Sequence, residues 1–171
     1  MSAEADVPVS MPVREPAAHA WLARAALAVA GSALLLLVAV QAWQVVARYL
    51  LNDSPGWTEP VSVLCMTTAM MLGAAVAVRD DRHFSFQLLL HRLPPAMARL
   101  LRVAIQLAIA AAGALLAGWG SVLATDLRDV RTAGAPMSQG LLYLPVVAGG
   151  ALILLFALAR VPQVWRRVEA D

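Results

Sequence analysis

The chain has 171 residues and a mass of 18.1 kDa; 61% of the residues are hydrophobic, 14% are charged and the mean hydropathy is +0.72. Soluble domains are roughly 45–50% apolar and about 25% charged, so an ordinary soluble domain and whole-length disorder are both excluded, and a lone cysteine, Cys65, excludes a disulfide scaffold. A net charge of +2, from 13 dispersed arginines and no lysine against 11 acids, is too small to indicate nucleic acid as a partner.

Residues 1–20, with Pro8, Pro12 and Pro16 among small and acidic residues, read as a disordered tail. The first apolar run, about 25–47, ends at Arg48. It is longer than the roughly 7–15-residue core of a signal peptide, and no clear small-residue cleavage site follows, so it reads as a retained span. Asn52-Asp53-Ser54-Pro55-Gly56 is a turn cluster, and Trp57 is placed as an interfacial anchor. A second span, about 57–78, stops at Arg79-Asp80-Asp81-Arg82. Residues 83–93 are too few to cross a bilayer. They set Phe86, Leu89, Leu90 and Leu93 on one helical face with Gln87 and His91 off it, which predicts a short amphipathic helix in the interface; a plain connecting loop is the other reading. After the Leu93-Pro94-Pro95 break comes a third span, about 98–124, then a polar connection over 125–139. The fourth span, about 140–159, includes Pro145 and ends before Arg160, Arg166 and Arg167.

The expected fold is therefore an all-α integral membrane protein: one domain over 21–165 with four transmembrane helices plus the interfacial helix, followed by a short tail, 166–171. Four spans put both termini and the second connection on one side. Ten of the 13 arginines fall there and three (Arg48, Arg128, Arg131) fall opposite, which predicts cytoplasmic N- and C-termini.

Polar groups inside spans are site candidates by default. Gln41, Gln44 and Arg48 share a face near the end of the first helix, and Glu59 opens the second with Ser62, Met66 and Gly73 continuing its face. The turn draws Arg48 and Glu59 together, either as a charge pair or as two separately solvated interfacial side chains. Gly113-x-x-x-Ala117 and Gly149-Gly150 permit close helix approach. Chemistry-bearing constellations are missing. His19, His83 and His91 lie outside the spans, which disfavours a haem bundle. One cysteine makes no dithiol, and Cys65 reads as a small apolar packing residue. No metal-ligand spacing or phosphate loop occurs, and no acid lies mid-membrane. The residues predict a membrane protein with no catalytic, cofactor or metal site of its own, and not an enzyme.

Val46-Ala-Arg48-Tyr-Leu-Leu-Asn-Asp-Ser-Pro-Gly-Trp57-Thr-Glu59, then Leu72-Gly-Ala-Ala-Val-Ala-Val-Arg79, His83 and Leu93-Pro94 together resemble the small, DctQ-type membrane subunit of tripartite ATP-independent periplasmic (TRAP) transporters. Pro136-Met-Ser-Gln-Gly-Leu-Leu-Tyr143-Leu-Pro145 is similar to the family's approach to its fourth helix. The likeness covers roughly residues 21–165. Two positions depart from it: Pro60 stands where the family's Trp-x-Glu-Glu has its second acid, and Gln87 replaces an Asp common four residues after the His. The resemblance implies an accessory subunit of the bacterial inner membrane, surrounded by lipid. Its partners would be a large multi-span permease subunit, which contains the sodium-coupled pathway, and a periplasmic substrate-binding protein that delivers an organic acid anion. It also makes Arg48, Trp57 and Glu59 candidates for hairpin architecture or partner contact at one interface, and Arg79 and His83 at the other. The alternatives are a stand-alone homo-oligomeric transporter or channel, and an anchor subunit of a membrane enzyme.

Overall fold

The computed structural model describes residues 17–53, 55–79 and 95–167. They form helices α1 (Ala17–Leu50), α2 (Thr58–Arg79), α3 (Pro95–Asp126) and α4 (Leu144–Arg167), with a 3₁₀ turn over Gln139–Tyr143 leading into α4. Each of the four is long and apolar enough to cross a membrane. Among the described residues the fold is all-helical apart from one isolated antiparallel bridge, Arg131 with Ser138. The expected interfacial helix over 83–93, and most of the expected N-terminal tail, lie outside the described residues.

The helices outrun the expected spans. α1 starts at Ala17, inside the stretch read as tail, because Ala-Ala-His-Ala-Trp-Leu after Pro16 contains strong helix formers and no breaker. α3 opens directly on Pro95, whose missing N–H costs nothing in a first turn, and α4 runs past Arg160 to Arg167.

The helices pack as an open row in the order α1-α2-α4-α3, not as a closed bundle. α1 buries a single seam: Ala23, Ala26, Ala30, Ala33, Val40 and Ala47 are buried, and Leu37 and Gln44 between them are half-buried. The steps alternate three and four residues, a 3.5-residue period that keeps one stripe facing one neighbour along the helix. α3, at the other edge, repeats the rhythm with Val103, Gln106, Ala110, Gly113, Ala117, Gly120 and Ala124, all buried or half-buried. The middle helices face two ways. On α2, Leu72, Ala75 and Val76 join Ala23, Ala26 and Ala30 of α1 and Ile153 and Phe156 of α4 in one cluster, while Cys65 and Ala69 meet Ala33.

α4 is fitted between its neighbours by two consecutive glycines. A Cβ added at Gly149 would lie 2.5 Å from Met71 Cβ of α2, and one at Gly150 would lie 2.7 Å from the Ala117 nitrogen of α3. Gly113 answers from α3, where a Cβ would lie 2.7 Å from the Leu154 nitrogen. Lipid tails are as apolar as leucine, so helices in a bilayer associate largely through such close packing. Little else is covered: in each helix's most apolar stretch only 17–33% is buried within the chain.

Candidate functional site

The residues singled out by sequence fall at the two ends of the row. At one, the loop end, the α1–α2 and α3–α4 connections meet. α1 stops where Asn52 turns left-handed (φ 51°), a conformation asparagine tolerates better than most residues. The Asp53 N–H then donates back to the Ala47 carbonyl at 3.1 Å. Pro55 accepts twice from Thr58, from its N–H at 3.3 Å and its hydroxyl at 2.8 Å, which fixes the start of α2 and leaves Thr58 fully buried. Trp57 remains exposed beside this turn, where an interfacial anchor belongs. Pro60 is buried in the first turn, where the departure from the family pattern costs no hydrogen bond.

The α3–α4 connection is an ordered small hairpin. Thr132 N–H donates to the Met137 carbonyl and Gln139 N–H to the Val130 carbonyl, both at 2.8 Å, and Gly140 N–H to the Leu127 carbonyl at 3.1 Å. Gly134 at its tip has φ +80° and lies against Gly56 of the other loop, so that a Cβ on Gly134 would be 2.5 Å from the Gly56 carbonyl oxygen. The two loops are thereby keyed into one platform. It presents the exposed charges Arg48, Asp53, Glu59, Asp126, Arg128, Asp129 and Arg131. Arg128 Nε approaches Asp129 Oδ2 at 3.4 Å, a solvent-exposed pair contributing roughly 0–1 kcal/mol.

Arg48 and Glu59 are both exposed, and no ion pair or hydrogen bond joins them among the described residues. The register explains this. Ala33 packs on Cys65 and Ala69, so Arg48 stands 15 residues up α1 from that level while Glu59 stands only six to ten up α2. At 1.5 Å per residue the mismatch is on the order of 10 Å. Each charge instead complements its own helix terminus, Glu59 in the first turn of α2 and Arg48 in the last turn of α1.

At the opposite, tail end, Arg79 is half-buried in the last turn of α2, where a cation also suits the helix dipole; His83 lies outside the described residues. The His19 ring stands edge-on to Phe156 of α4 with centroids 6.4 Å apart.

Between the ends, the hydroxyls of Ser32, Thr67, Thr68, Ser121 and Thr125 donate to carbonyls three or four residues back in their own helices. They satisfy themselves locally. Ser62 is the exception: its hydroxyl is buried without a hydrogen-bond partner. Among the described residues no group of three His, Cys, Asp or Glu side chains is placed to hold a metal ion. Sequence reasoning missed the Gly56–Gly134 contact and the two Thr58–Pro55 hydrogen bonds. Asn52–Gly56 signalled a turn and 125–139 a polar connection, but nothing in the one-dimensional pattern signalled that the two touch.

Residues 37–167 match the family described as tripartite ATP-independent periplasmic transporters, DctQ component. The chain is also 29% identical over 73 residues to the sialic acid TRAP transporter small permease protein SiaQ of Vibrio cholerae serotype O1. That alignment spans 43% of this chain and 42% of the relative.

Proposed function

The chain belongs to the DctQ component family of tripartite ATP-independent periplasmic transporters, and from that premise we propose that it serves as the small accessory permease subunit of such a system. In this reading it sits in the bacterial inner membrane with both termini cytoplasmic, as the ten-to-three division of arginines favours. It pairs with a large, many-helix subunit that carries out sodium-coupled uptake of an organic acid anion, and a periplasmic binding protein delivers that anion. The SiaQ relative is named for a sialic acid transporter, which supports an acid as the class of cargo.

The observation that carries the proposal is the open row. A self-contained transporter needs polar groups converging at the membrane centre, whereas the span hydroxyls here are mostly turned back on their own helices. Both edge helices bury one narrow seam and leave long apolar faces outward, such as Leu34, Leu35, Leu36 and Val38 on α1 and Leu107, Leu115 and Trp119 on α3. Such a sheet of helices adds lateral surface to a larger membrane body. The loop platform, with Arg48, Trp57 and Glu59, then faces the periplasm, where the binding protein arrives; Arg79 and His83 mark the cytoplasmic interface.

The test is co-purification of the tagged chain from native membranes in mild detergent, with mass-spectrometric identification of what accompanies it. Recovery of a large multi-span permease is expected. Recovery of this chain alone, as a homo-oligomer that transports in liposomes, overturns the proposal.

A further inference from the structure

Ser32, Thr67, Thr68, Ser121 and Thr125 each turn their hydroxyl back onto a carbonyl of their own helix. Ser62 has the same option, since the Thr58 and Glu59 carbonyls stand four and three residues before it. It does not take that option: its hydroxyl is buried with no hydrogen-bond partner, in a residue only 7% exposed. A hydroxyl left unpaired in an apolar interior is costly when back-bonding is open to it. The orientation of Ser62 therefore calls for a polar group outside α2.

The register shows where that group stands. Ser62 lies one turn before Cys65 on the buried stripe Ser62, Cys65, Ala69, and Cys65 and Ala69 pack on Ala33 of α1 with Leu37 beside them. The Asp53 N–H bonds to the Ala47 carbonyl. Between these two fixed points the antiparallel helices set Ser62 beside Leu37 and Val40, and Thr58 between Val40 and Gln44. Gln44 is half-buried and is the one polar side chain in the α1 seam that runs from Ala23 to Ala47. Side chains lean toward the N-terminus of their own helix. Gln44 thus leans along α1 toward Ser62, while Ser62 and Thr58 lean along α2 toward Gln44. Gln44 starts roughly 9 Å along the axis from the level of Ser62, and among the described residues no hydrogen bond joins them. The two side chains shorten that separation to the width of one water.

The donors and acceptors match such an occupant. Thr58 gives its hydroxyl proton to the Pro55 carbonyl, so its oxygen is left to accept. The Ser62 hydroxyl is free to donate, and the Gln44 amide does both. A buried water needs about two to four polar partners. Here Ser62 donates to it, and it donates to Thr58 Oγ1 and Gln44 Oε1. We infer that Ser62, Thr58 and Gln44 enclose a buried water that joins α1 to α2 near the loop end. It is a polar clamp in a seam otherwise built from apolar side chains, and it concerns this chain alone, whatever the chain assembles with.

The experiment uses the full-length chain in detergent. Ser62→Ala and Gln44→Met should each lower Tm by about 3 °C. The double variant should lose no more than the larger single loss, because both substitutions remove partners of the same water. An unchanged or raised Tm in Ser62→Ala, or strictly additive losses, overturns the inference. Hydroxyl-radical labelling by X-ray pulse reads the water itself, since radicals formed from a bound water oxidise the side chains around it. Cys65, buried one turn from Ser62, should be oxidised several-fold faster in the wild type than in Ser62→Ala, while Phe156, buried at the tail end, stays at background in both. Coupled Tm losses without that difference at Cys65 identify a direct contact between Ser62 and Gln44, and overturn the water.

Discussion

α4 and α1 are both long apolar helices, yet the chain holds them in different ways. α4 touches two neighbours almost backbone to backbone, through Gly149 on one side and Gly150 on the other. α1 packs mainly on α2, reaching α4 only near its tail end, where His19 meets Phe156, and does so through side chains, most of them alanine. Where no hydrophobic effect separates helix from solvent, approach distance decides how strongly helices associate. α4 is therefore locked between its neighbours by backbone approach, whereas α1 lies at one edge of the row and is held by side chains.

The sharpest way to break this contrast is to fill the glycine contacts. Gly150→Val places a branched side chain against the Ala117 nitrogen and Gly113 carbonyl, where only backbone can yield. Overpacking of that kind is expected to cost about 3 kcal/mol. Ala30→Leu on α1 also adds bulk at a buried position, but an edge helix can move outward into lipid, so the expected cost is about 1 kcal/mol. Thermal or denaturant unfolding in detergent reads both variants. Equal losses would mean that α1 is as firmly keyed as α4.

A second test addresses the loops, where the two halves of the row meet again. Gly134→Ala places a Cβ at φ +80° and against the Gly56 carbonyl. A non-glycine residue held in such a conformation costs on the order of 1–3 kcal/mol before the clash is counted, so a loss of about 2 kcal/mol is expected. Limited proteolysis should then cut both connections faster, not only the one that was changed. Acceleration confined to the α3–α4 connection would show that the platform is two independent loops.

Much of the fold was legible from residue patterns because span length and charge placement are one-dimensional signals. Four apolar runs bounded by Arg48, Arg79 and Arg160 correspond to four helices, with ends misplaced by up to eight residues at the start of α1, where the flank is alanine-rich, and at the end of α4, where the helix continues through Arg160–Arg167. The order of packing was not legible. Gly149 and Gly150 announced a close approach, but that one faces α2 and the other α3 follows from the 100° step between consecutive helical residues together with a topology no single span encodes. Which of the two readings holds for Arg48 and Glu59, a charge pair or two separately solvated side chains, was not legible for a related reason. Sequence distance suggested that a short turn brings the two together, whereas the register of α1 on α2, set by Ala33 against Cys65 and Ala69, carries α1 past the start of α2.

That register makes the smallest prediction a discriminating one. If Arg48 and Glu59 each act on their own helix end, replacing either by alanine removes only a local dipole interaction, expected to be roughly 0.3–1 kcal/mol and weakened by salt at exposed sites. The double variant should then lose the sum of the single effects, with a coupling below about 0.5 kcal/mol, as found for side chains that share no partner. A coupling well above that, in the isolated chain, would mean that α1 slides toward α2 by about two turns relative to the seam described here. The same cycle repeated on the co-purified complex separates the remaining possibilities. If coupling appears only there, a partner bridges the two charges, and the loop platform is a contact surface; if it stays absent, both residues serve the helices that carry them.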